Sequence, residues 1–228
     1  TSVGDSPRGA HVTTGTRAAG IIVRRLDPSL VPDFVTFMRR DAFAEFPWWA
    51  GCACGFYETP GDEWDASANA FDEHVTAKVA RIEAGRSQGY LAYMDDTVVG
   101  WCNAAPRDSY ANLRRYAAAI DDTPDVGSIV CFVVAAPYRG RGVATALLDA
   151  ACDGLRDQGM RLAEGYPTTK EPPTQPYQVP WTAHNYHGPL RMYLSSGFYV
   201  HRQMDGWVIV RKRLEPIEEP RHDAEDGM

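Results

Sequence analysis

The chain has 228 residues, of which 44% are hydrophobic and 23% charged, and this composition is typical of a folded globular protein. Its formal net charge of −7 argues against a nucleic-acid partner, and no apolar run reaches the length that spans a membrane. The acidity fits a cationic substrate, although acidic surfaces also serve solubility alone.

The two ends of the chain differ in composition from its middle. Residues 1–20 are rich in Gly, Ser and Thr and lack periodicity, and residues 215–228 are acidic and contain proline. Neither segment has enough apolar residues to form a core. We therefore expect disordered extensions at 1–20 and 215–228 and one folded domain over 21–214.

The first half of this domain predicts a strand, two helices and a hairpin. The strand is "GIIVRRLDP", ending at Pro28, and "SLVPDFVTFMRRDAF" then has apolar residues at helical spacing, with Ser29 as N-cap. An aromatic loop follows, "FPWWAGCACGFYETPGDEW". A second helix, "SANAFDEHVTAKVARIEAG", is expected to end at Gly85. The run "GYLAYMDDTVVGWCNAAPR" predicts a hairpin that turns at Asp95 and Asp96.

The second half continues the alternation of strands and helices. The nearly continuous apolar run "SIVCFVVAA" predicts a buried central strand. A helix in "GVATALLDAACDGLRDQG", a strand in "RLAEGYP" and a helix in "PLRMYLSSGF" follow. A final hairpin turns near Asp205 and Gly206. The order β-α-α-β-β-β-α-β-α-β-β predicts an α/β or α+β domain with a mixed sheet.

A basic, glycine-rich turn joins the fourth strand to the next helix. Glycines let a ligand approach the backbone, arginines donate to phosphate oxygens, and the helix N-terminus presents unpaired N–H groups. The turn therefore predicts a phosphate cradle, with an ordinary strand-to-helix turn as the alternative. It is not a P-loop, and Thr145 stands where a dinucleotide fingerprint has its third glycine.

Three segments together carry a family resemblance. Residues 139–144, "RGRGVA", are similar to a (Q/R)-x-x-G-x-(G/A) pyrophosphate loop, and residues 132–134 precede it as the strand that binds a pantetheine arm. Residues 193–198, "YLSSGF", are similar to a Y-x-x-x-G-F segment. On these segments the chain resembles the GNAT superfamily of acyl-CoA-dependent N-acetyltransferases over roughly 21–214.

The resemblance implies both a fold and a reaction. The fold is a mixed, mostly antiparallel sheet, splayed between the fourth and fifth strands and flanked by helices. The reaction is transfer of an acetyl group from acetyl-CoA to a primary amine by direct attack in a ternary complex. A small-molecule amine is expected, because the aromatic loop and the proline-rich run look like pocket walls. A protein lysine or N-terminal acetyltransferase and a non-catalytic acyl-CoA sensor are the alternatives.

Ten residues are implied by the resemblance to bind acetyl-CoA. The cradle holds the pyrophosphate, the strand pairs with the pantetheine, and a main-chain N–H near the end of the strand faces the developing oxyanion. The residues are Phe132, Val133, Val134, Arg139, Gly140, Arg141, Gly142, Val143, Ala144 and Thr145.

Acid and base catalysts are expected from two regions. Tyr193, by its place in the motif, is implied to protonate the leaving thiolate, with packing in an amphipathic helix as the alternative. Glu164 is the first candidate for general base, because a carboxylate inside a short strand is unusual. Glu58 is the second candidate, and a chain of water molecules is the third.

Substrate recognition is expected from the aromatic loop and the third strand. Aromatic faces can hold a cation, Asn103 is a polar residue within a strand, and Arg107 can pair with a substrate carboxylate. Core coverage for the aromatic residues and a solvated strand end for Arg107 are the alternatives. The candidates are Trp48, Trp49, Phe56, Tyr57, Glu58, Asn103 and Arg107.

The long run "TTKEPPTQPYQVPWTAHNYHG", residues 168–188, departs from the short link that many family members have at this place. A long loop in a compact domain is often functional, but a floppy insertion is equally compatible with the composition. The sequence therefore does not determine the path of the substrate cleft, and it leaves a homodimer possible.

The cysteines and histidines give little sign of other chemistry. Five scattered cysteines indicate reduced thiols and a cytoplasmic location rather than a disulfide framework. Cys52 and Cys54 are too close in sequence for a usual zinc pair, and His184 and His187 lack a clear third ligand, so no metal is expected. Cys131 is expected to be inert packing.

Overall fold

The computed structural model describes residues 20–66, 71–113, 121–170 and 185–214. The described residues do not include 1–19 of the predicted extension at 1–20, the extension at 215–228, most of the proline-rich run or the side chain of Trp48. Within the described ranges, no helix has the length and apolar character needed to cross a membrane.

Helices and strands alternate as the periodicity predicts, with one additional short helix. The helices are α1 Val31–Arg40, α2 Gly61–Ala66, α3 Phe71–Glu83, α4 Val143–Asp157 and α5 Leu190–Ser195. The strands are β1 Ile22–Arg25, β2 Tyr90–Met94, β3 Thr97–Pro106, β4 Val126–Val134, β5 Leu162–Gly165, β6 Tyr199–Gln203 and β7 Val208–Arg213.

Two local predictions at the helices were wrong. Ser29 does not cap α1: it lies in a 3₁₀ turn, Pro28–Leu30, in which the Asp27 carboxylate accepts a hydrogen bond from the Ser29 N–H. Asp27 caps this turn because its extended backbone conformation and acceptor side chain suit an N-cap. The end of the aromatic loop is not irregular either, because α2 begins at Gly61.

The strands that the structure describes form one sheet in the order β1-β2-β3-β4-β5-β7-β6. Every pairing in it is antiparallel except β4 with β5. The mixed, mostly antiparallel sheet is therefore confirmed. The parallel pairing covers only Val126–Ile129 of β4, although the strand continues to Val134. The sheet is thus open along the second half of β4.

Both faces of the sheet are covered, which explains the continuous apolar run in β4. Ile129 packs on one face against α4 with Leu147 and Leu148. The next residue, Val130, packs on the other face with Phe34 of α1. The register of β4 against β3 shifts at Val130, between the pairs Asn103–Cys131 and Ala104–Ile129. Cys131 and Val133 therefore also lie on the α1 face, where the aromatic loop lies, and Phe132 lies on the α4 face.

Candidate active site

The basic turn after β4 has the shape of an anion cradle. Gly140 and Gly142 have φ values of +73° and +84°, and a Cβ at either position would meet nothing within 4 Å. The first main-chain bond of α4 runs from the Ala146 N–H to the Gly142 carbonyl, so the N–H groups before it have no partner within the helix. An open cradle at a helix N-terminus fits a diphosphate, because the helix dipole favours anions there.

The two arginines of the cradle have different environments. Arg139 donates to the Val134 carbonyl at 3.1 Å and to the Glu45 carboxylate at 2.6 Å, so it braces the turn against β4 and the segment after α1. Arg141 is exposed and stacks over the Tyr138 ring at 5.6 Å. Phosphate binding by Arg139 therefore stays a prediction, and it would require the guanidinium to share its donors with Glu45.

The open half of β4 is bridged by the segment 185–188. The Phe132 N–H donates to the Tyr186 carbonyl at 2.6 Å, across the gap where β5 has ended. A pantetheine arm pairing with Phe132 at this N–H would have to exchange with that bond. The end of the proline-rich run is therefore part of the cleft.

Tyr193 lies at the same gap. Its side chain is fully buried on α5, its hydroxyl donates to the His187 carbonyl at 2.8 Å, and its ring packs against the backbone of Gly165. Burial raises the pKa of Tyr193 well above its ordinary value, so the hydroxyl stays protonated at neutral pH. The side chain is thus a neutral donor. The centroids of the Tyr193 and Phe132 rings are 6.3 Å apart.

A cavity of about 210 Å³ adjoins this gap on the α1 face of the sheet. Its wall is formed by the aromatic loop, by two β4 side chains, and by one residue each from the segments after α1 and before α5. The lining residues are Phe43, Trp49, Cys52, Cys54, Phe56, Tyr57, Cys131, Val133 and Tyr186. Three of the predicted substrate residues, Trp49, Phe56 and Tyr57, are therefore in one wall, whereas Glu58, Asn103 and Arg107 are not.

Glu164 is held in a buried ion-pair network. One carboxylate oxygen accepts from the Tyr166 hydroxyl at 2.8 Å, and the other accepts from Arg211 at 2.6 Å. Arg211 also donates to Asp121 at 2.8 Å, and this bond holds the pKa of Asp121 well below its ordinary value. Protonating Glu164 would leave Arg211 buried without this counter-ion, so the network opposes a role as general base.

Arg107 belongs to the same network. Its side chain is only 10% exposed, donates to the Thr123 carbonyl, and lies 3.6 Å from Glu164. It is therefore neither a solvated strand end nor a group that faces the cavity.

Glu58 lies in a second buried polar cluster. One carboxylate oxygen accepts from Lys78 at 2.5 Å, from Ser87 at 2.9 Å and from Asn103 at 3.3 Å. The other oxygen is buried and has no hydrogen-bond partner among the described residues. Asn103 also donates to the Cys54 carbonyl at 3.0 Å and accepts from Tyr110 at 2.8 Å. Asn103 thus supports the cavity wall from behind rather than facing a ligand.

The geometry of cradle, open strand and cavity can be compared with known proteins. A sequence model of one protein family, described as "Acetyltransferase (GNAT) family", matches residues 46–169, which is more than half of the chain. The chain belongs to the GNAT acetyltransferase family. It is therefore an acyl-CoA-dependent acetyltransferase, with acetyl-CoA as cosubstrate. No curated protein matches the chain.

Solved structures agree with the GNAT fold. PaiA N-acetyltransferase from Thermoplasma acidophilum, in complex with coenzyme A, has a TM-score of 0.50 at 14% identity, covering 85% of this chain and 98% of that chain. YncA, a putative acetyltransferase from Salmonella typhimurium with acetyl-CoA, has the same score and identity, covering 89% and 99%. The ribosomal-protein-S18-alanine N-acetyltransferase from Escherichia coli has a TM-score of 0.44 at 12% identity, covering 87% and 97%.

His187 is a site residue of this GNAT domain that sequence reasoning considered only as a metal ligand. Its Nε2 lies 3.1 Å from the Tyr57 hydroxyl in the cavity wall, and its carbonyl accepts from Tyr193. Burial lowers the pKa of His187 from 6.5 to about 4, so the ring is neutral at pH 7. His184, its expected companion, lies outside the described residues.

Lys78 was missed entirely. It sits on α3 among apolar residues, is fully buried, and pairs with Glu58 while its ammonium lies 5.3 Å from the Trp101 ring. A lysine four residues after His74 looks like an ordinary surface position in an amphipathic helix. Only the position of Glu58 across the fold explains why it can be buried.

The cysteines are all free thiols, as the sequence predicts. Cys54 and Cys131 lie in the cavity wall with their sulfurs 3.6 Å apart. The hydrogen bond to Cys131, together with burial, raises the pKa of Cys54 well above its ordinary value. Cys54 is therefore an uncharged part of the wall.

Proposed function

We propose that this GNAT enzyme transfers the acetyl group of acetyl-CoA to a primary amine of a small molecule, by direct attack of the amine in a ternary complex. The observation that carries this proposal is the cavity of about 210 Å³ beside the open half of β4. Its size and aromatic wall suit a compact molecule. A peptide or protein terminus would need an open groove instead.

Acetyl-CoA supplies, when bound, an acetyl group activated as a thioester. The N–H groups of 139–145 would hold its diphosphate, and the main chain of Phe132, Val133 and Val134 would hold its pantetheine arm. The open space at Gly140 and Gly142 supports the first part. The end of the β5 pairing at Ile129 supports the second part, because no described strand pairs with this edge of β4 beyond it.

Tyr193 is the proposed donor of the proton that the leaving thiolate needs. Its hydroxyl is protonated, buried and oriented by the His187 carbonyl at 2.8 Å. Burial raises the pKa of Tyr193 well above its ordinary value, so the proton transfer is uphill against an exposed thiolate. A thiolate formed in the same buried gap has its pKa raised in the same direction, which reduces this difference.

Glu58 is the proposed acceptor of the amine proton, through water that reaches its Oε2 past the main chain of the wall, while its Oε1 keeps the contact with Lys78. It has one buried oxygen without a partner among the described residues, and its neighbour Tyr57 lines the cavity. Glu164 has both oxygens occupied by Tyr166 and Arg211, which makes it a structural carboxylate in this proposal.

The test is an acetylation assay with the whole chain and acetyl-CoA. A panel of small primary amines and a panel of peptides with free N-termini or lysines are offered in parallel. Free thiol is measured, and products are identified by mass. We expect acetylated small amines with kcat/KM well above that of any peptide. Acetylation confined to peptides would overturn the proposal, as would turnover with no amine dependence.

A further inference from the structure

The cavity wall contains no charged side chain among the described residues. Of its nine members, five are aromatic, three are cysteines and one is valine. The thiol of Cys52 stays protonated, since burial raises its pKa to about 12, and that of Cys54 is likewise raised. The wall therefore offers neither a carboxylate for a second ammonium nor a cation for a substrate carboxylate.

The nearest charged groups are engaged outside the wall. Lys78 donates to Glu58 and, at 3.4 Å, to the carbonyl of Cys54, so the ion pair lies behind the main chain of the wall. Arg107, the predicted partner of a substrate carboxylate, is bound to Thr123 and faces Glu164. A charge carried against this wall would lose water and meet no charged partner among the described residues, which is unfavourable.

The size of the cavity limits the occupant as well. An apolar cavity of about 150 Å³ is large enough to bind benzene. A cavity of about 210 Å³ therefore takes one ring, or an alkyl chain of similar bulk. Trp49 and Tyr57 in the wall present rings against which such an apolar body can pack.

We propose that the acceptor is a monoamine with an apolar arylalkyl or alkyl body and no second charged group. This inference rests on the proposed function and names its substrate class. The apolar body occupies the cavity, and the nitrogen points towards the open half of β4, beside Tyr186 and Val133. Amino acids, polyamines and aminoglycosides are disfavoured, because each carries an additional charge into the apolar wall.

The test compares matched pairs of amines on the unmodified enzyme at saturating acetyl-CoA. Phenylalanine differs from 2-phenylethylamine by one carboxylate, and 1,6-diaminohexane differs from hexylamine by one ammonium. We expect each added charge to lower kcat/KM by about 100-fold or more. Charged partners that react as well as the apolar ones would overturn this inference while leaving the proposed function intact. No reaction with any small amine would overturn the proposed function instead.

A pair of variants locates the selectivity in the cavity. Trp49→Ala removes a wall ring, so the KM for 2-phenylethylamine should rise by about 10-fold or more, with the KM for acetyl-CoA unchanged. Tyr199→Ala removes an exposed ring on β6 and should change neither constant. Thermal unfolding of both variants checks that they are folded. An unchanged amine KM in folded Trp49→Ala would show that the apolar body binds elsewhere.

Discussion

Gly142 combines a left-handed backbone, at φ +84°, with open space at the N-terminus of α4. Asparagine tolerates this conformation better than other side chains, so Gly142→Asn should fold while its side chain occupies the cradle. We expect acetyl-CoA binding, measured by calorimetry, to weaken by about 10-fold or more, the equivalent of 1.4 kcal/mol.

Gly159 provides the matched control, because its φ of +82° and empty surroundings are the same but it lies after the C-terminus of α4. Gly159→Asn should bind acetyl-CoA like the unmodified chain. Equal affinity in both variants would show that the diphosphate is not held at Gly142.

The Tyr193 hydroxyl makes a hydrogen bond within the fold and is also the proposed general acid. Measuring stability and kinetics on one variant can separate these two roles. Tyr193→Phe removes the bond to the His187 carbonyl, which should cost about 1 kcal/mol of stability. Loss of a general acid should also lower kcat by ~10²–10⁴ with little change in either KM. A kcat that is preserved, with only the stability loss, would make Tyr193 a packing residue.

His187 predicts a pH dependence of stability. Its pKa is about 4 in the folded chain and 6.5 when unfolded, so the unfolded state binds more protons between these values. The folded state therefore loses stability as the pH falls from 6.5 to 4, by about 3 kcal/mol in all. Above pH 6.5 the ring is neutral in both states and this loss is absent.

His187→Gln removes the titrating ring and keeps a polar group near Tyr57. Urea unfolding between pH 7 and pH 4 should give a flatter stability profile for this variant than for the unmodified chain. Parallel profiles would show that His187 titrates normally in the folded state.

At the scale of elements, α4 lies very close to the sheet. Gly154 is at the centre of this contact, and a Cβ there would come within 1.9 Å of the Tyr90 hydroxyl on β2. Alanine usually stabilises a helix by about 1 kcal/mol relative to glycine. Here the steric cost should exceed this gain in stability, because overpacking a core costs about 1–3 kcal/mol.

Gly154→Ala should therefore lower the free energy of unfolding by about 1 kcal/mol. Tyr90→Phe removes the hydroxyl that the new methyl group meets first, so the double variant should lose less than the sum of the two single changes. Additive losses in chemical denaturation would place the strain elsewhere.

At the scale of the whole molecule, one ion-pair network ties the two halves of the sheet together. Glu164 is on β5, Arg211 is on β7, and Asp121 precedes β4. Arg211→Met leaves Glu164 buried without its principal counter-ion and should cost about 3 kcal/mol or more. Arg156→Met breaks a surface pair with Asp153 and should cost no more than about 1 kcal/mol.

The double variant Glu164→Leu/Arg211→Met removes both charges and should be more stable than Arg211→Met alone. Acetylation by this variant, if it folds, would agree with a structural Glu164. Normal stability in Arg211→Met would mean that Glu164 has another counter-ion, for which Arg107 is the nearest candidate at 3.6 Å.

Local pattern was sufficient for much of the fold. The short apolar run in "GIIVRR", the continuous apolar run before the cradle and the helical spacing after it depend on near neighbours alone, and the strands and longer helices were predicted from such patterns. The Ser29 prediction was wrong because a 3₁₀ turn capped by Asp27 precedes the helix, and α1 then begins after Leu30 without a side-chain cap. The glycine turn was also a local signal, because a positive φ at a helix start favours glycine.

For the site, too, the sequence shows the local features but not the contacts between distant residues. The aromatic loop is visible as a sequence, and three of its predicted substrate residues line the cavity, but the partners of its polar neighbours are not visible. Glu164 meets Arg211 across 47 residues, Glu58 meets Lys78 across 20, and His187 meets Tyr57 across 130. Whether a buried charge is a catalyst or half of an ion pair depends on contacts across the fold. The sequence by itself determined the family, the elements and the position of the glycine turn. Only the tertiary structure decided which charges are paired and that the described residues of the cavity wall carry none.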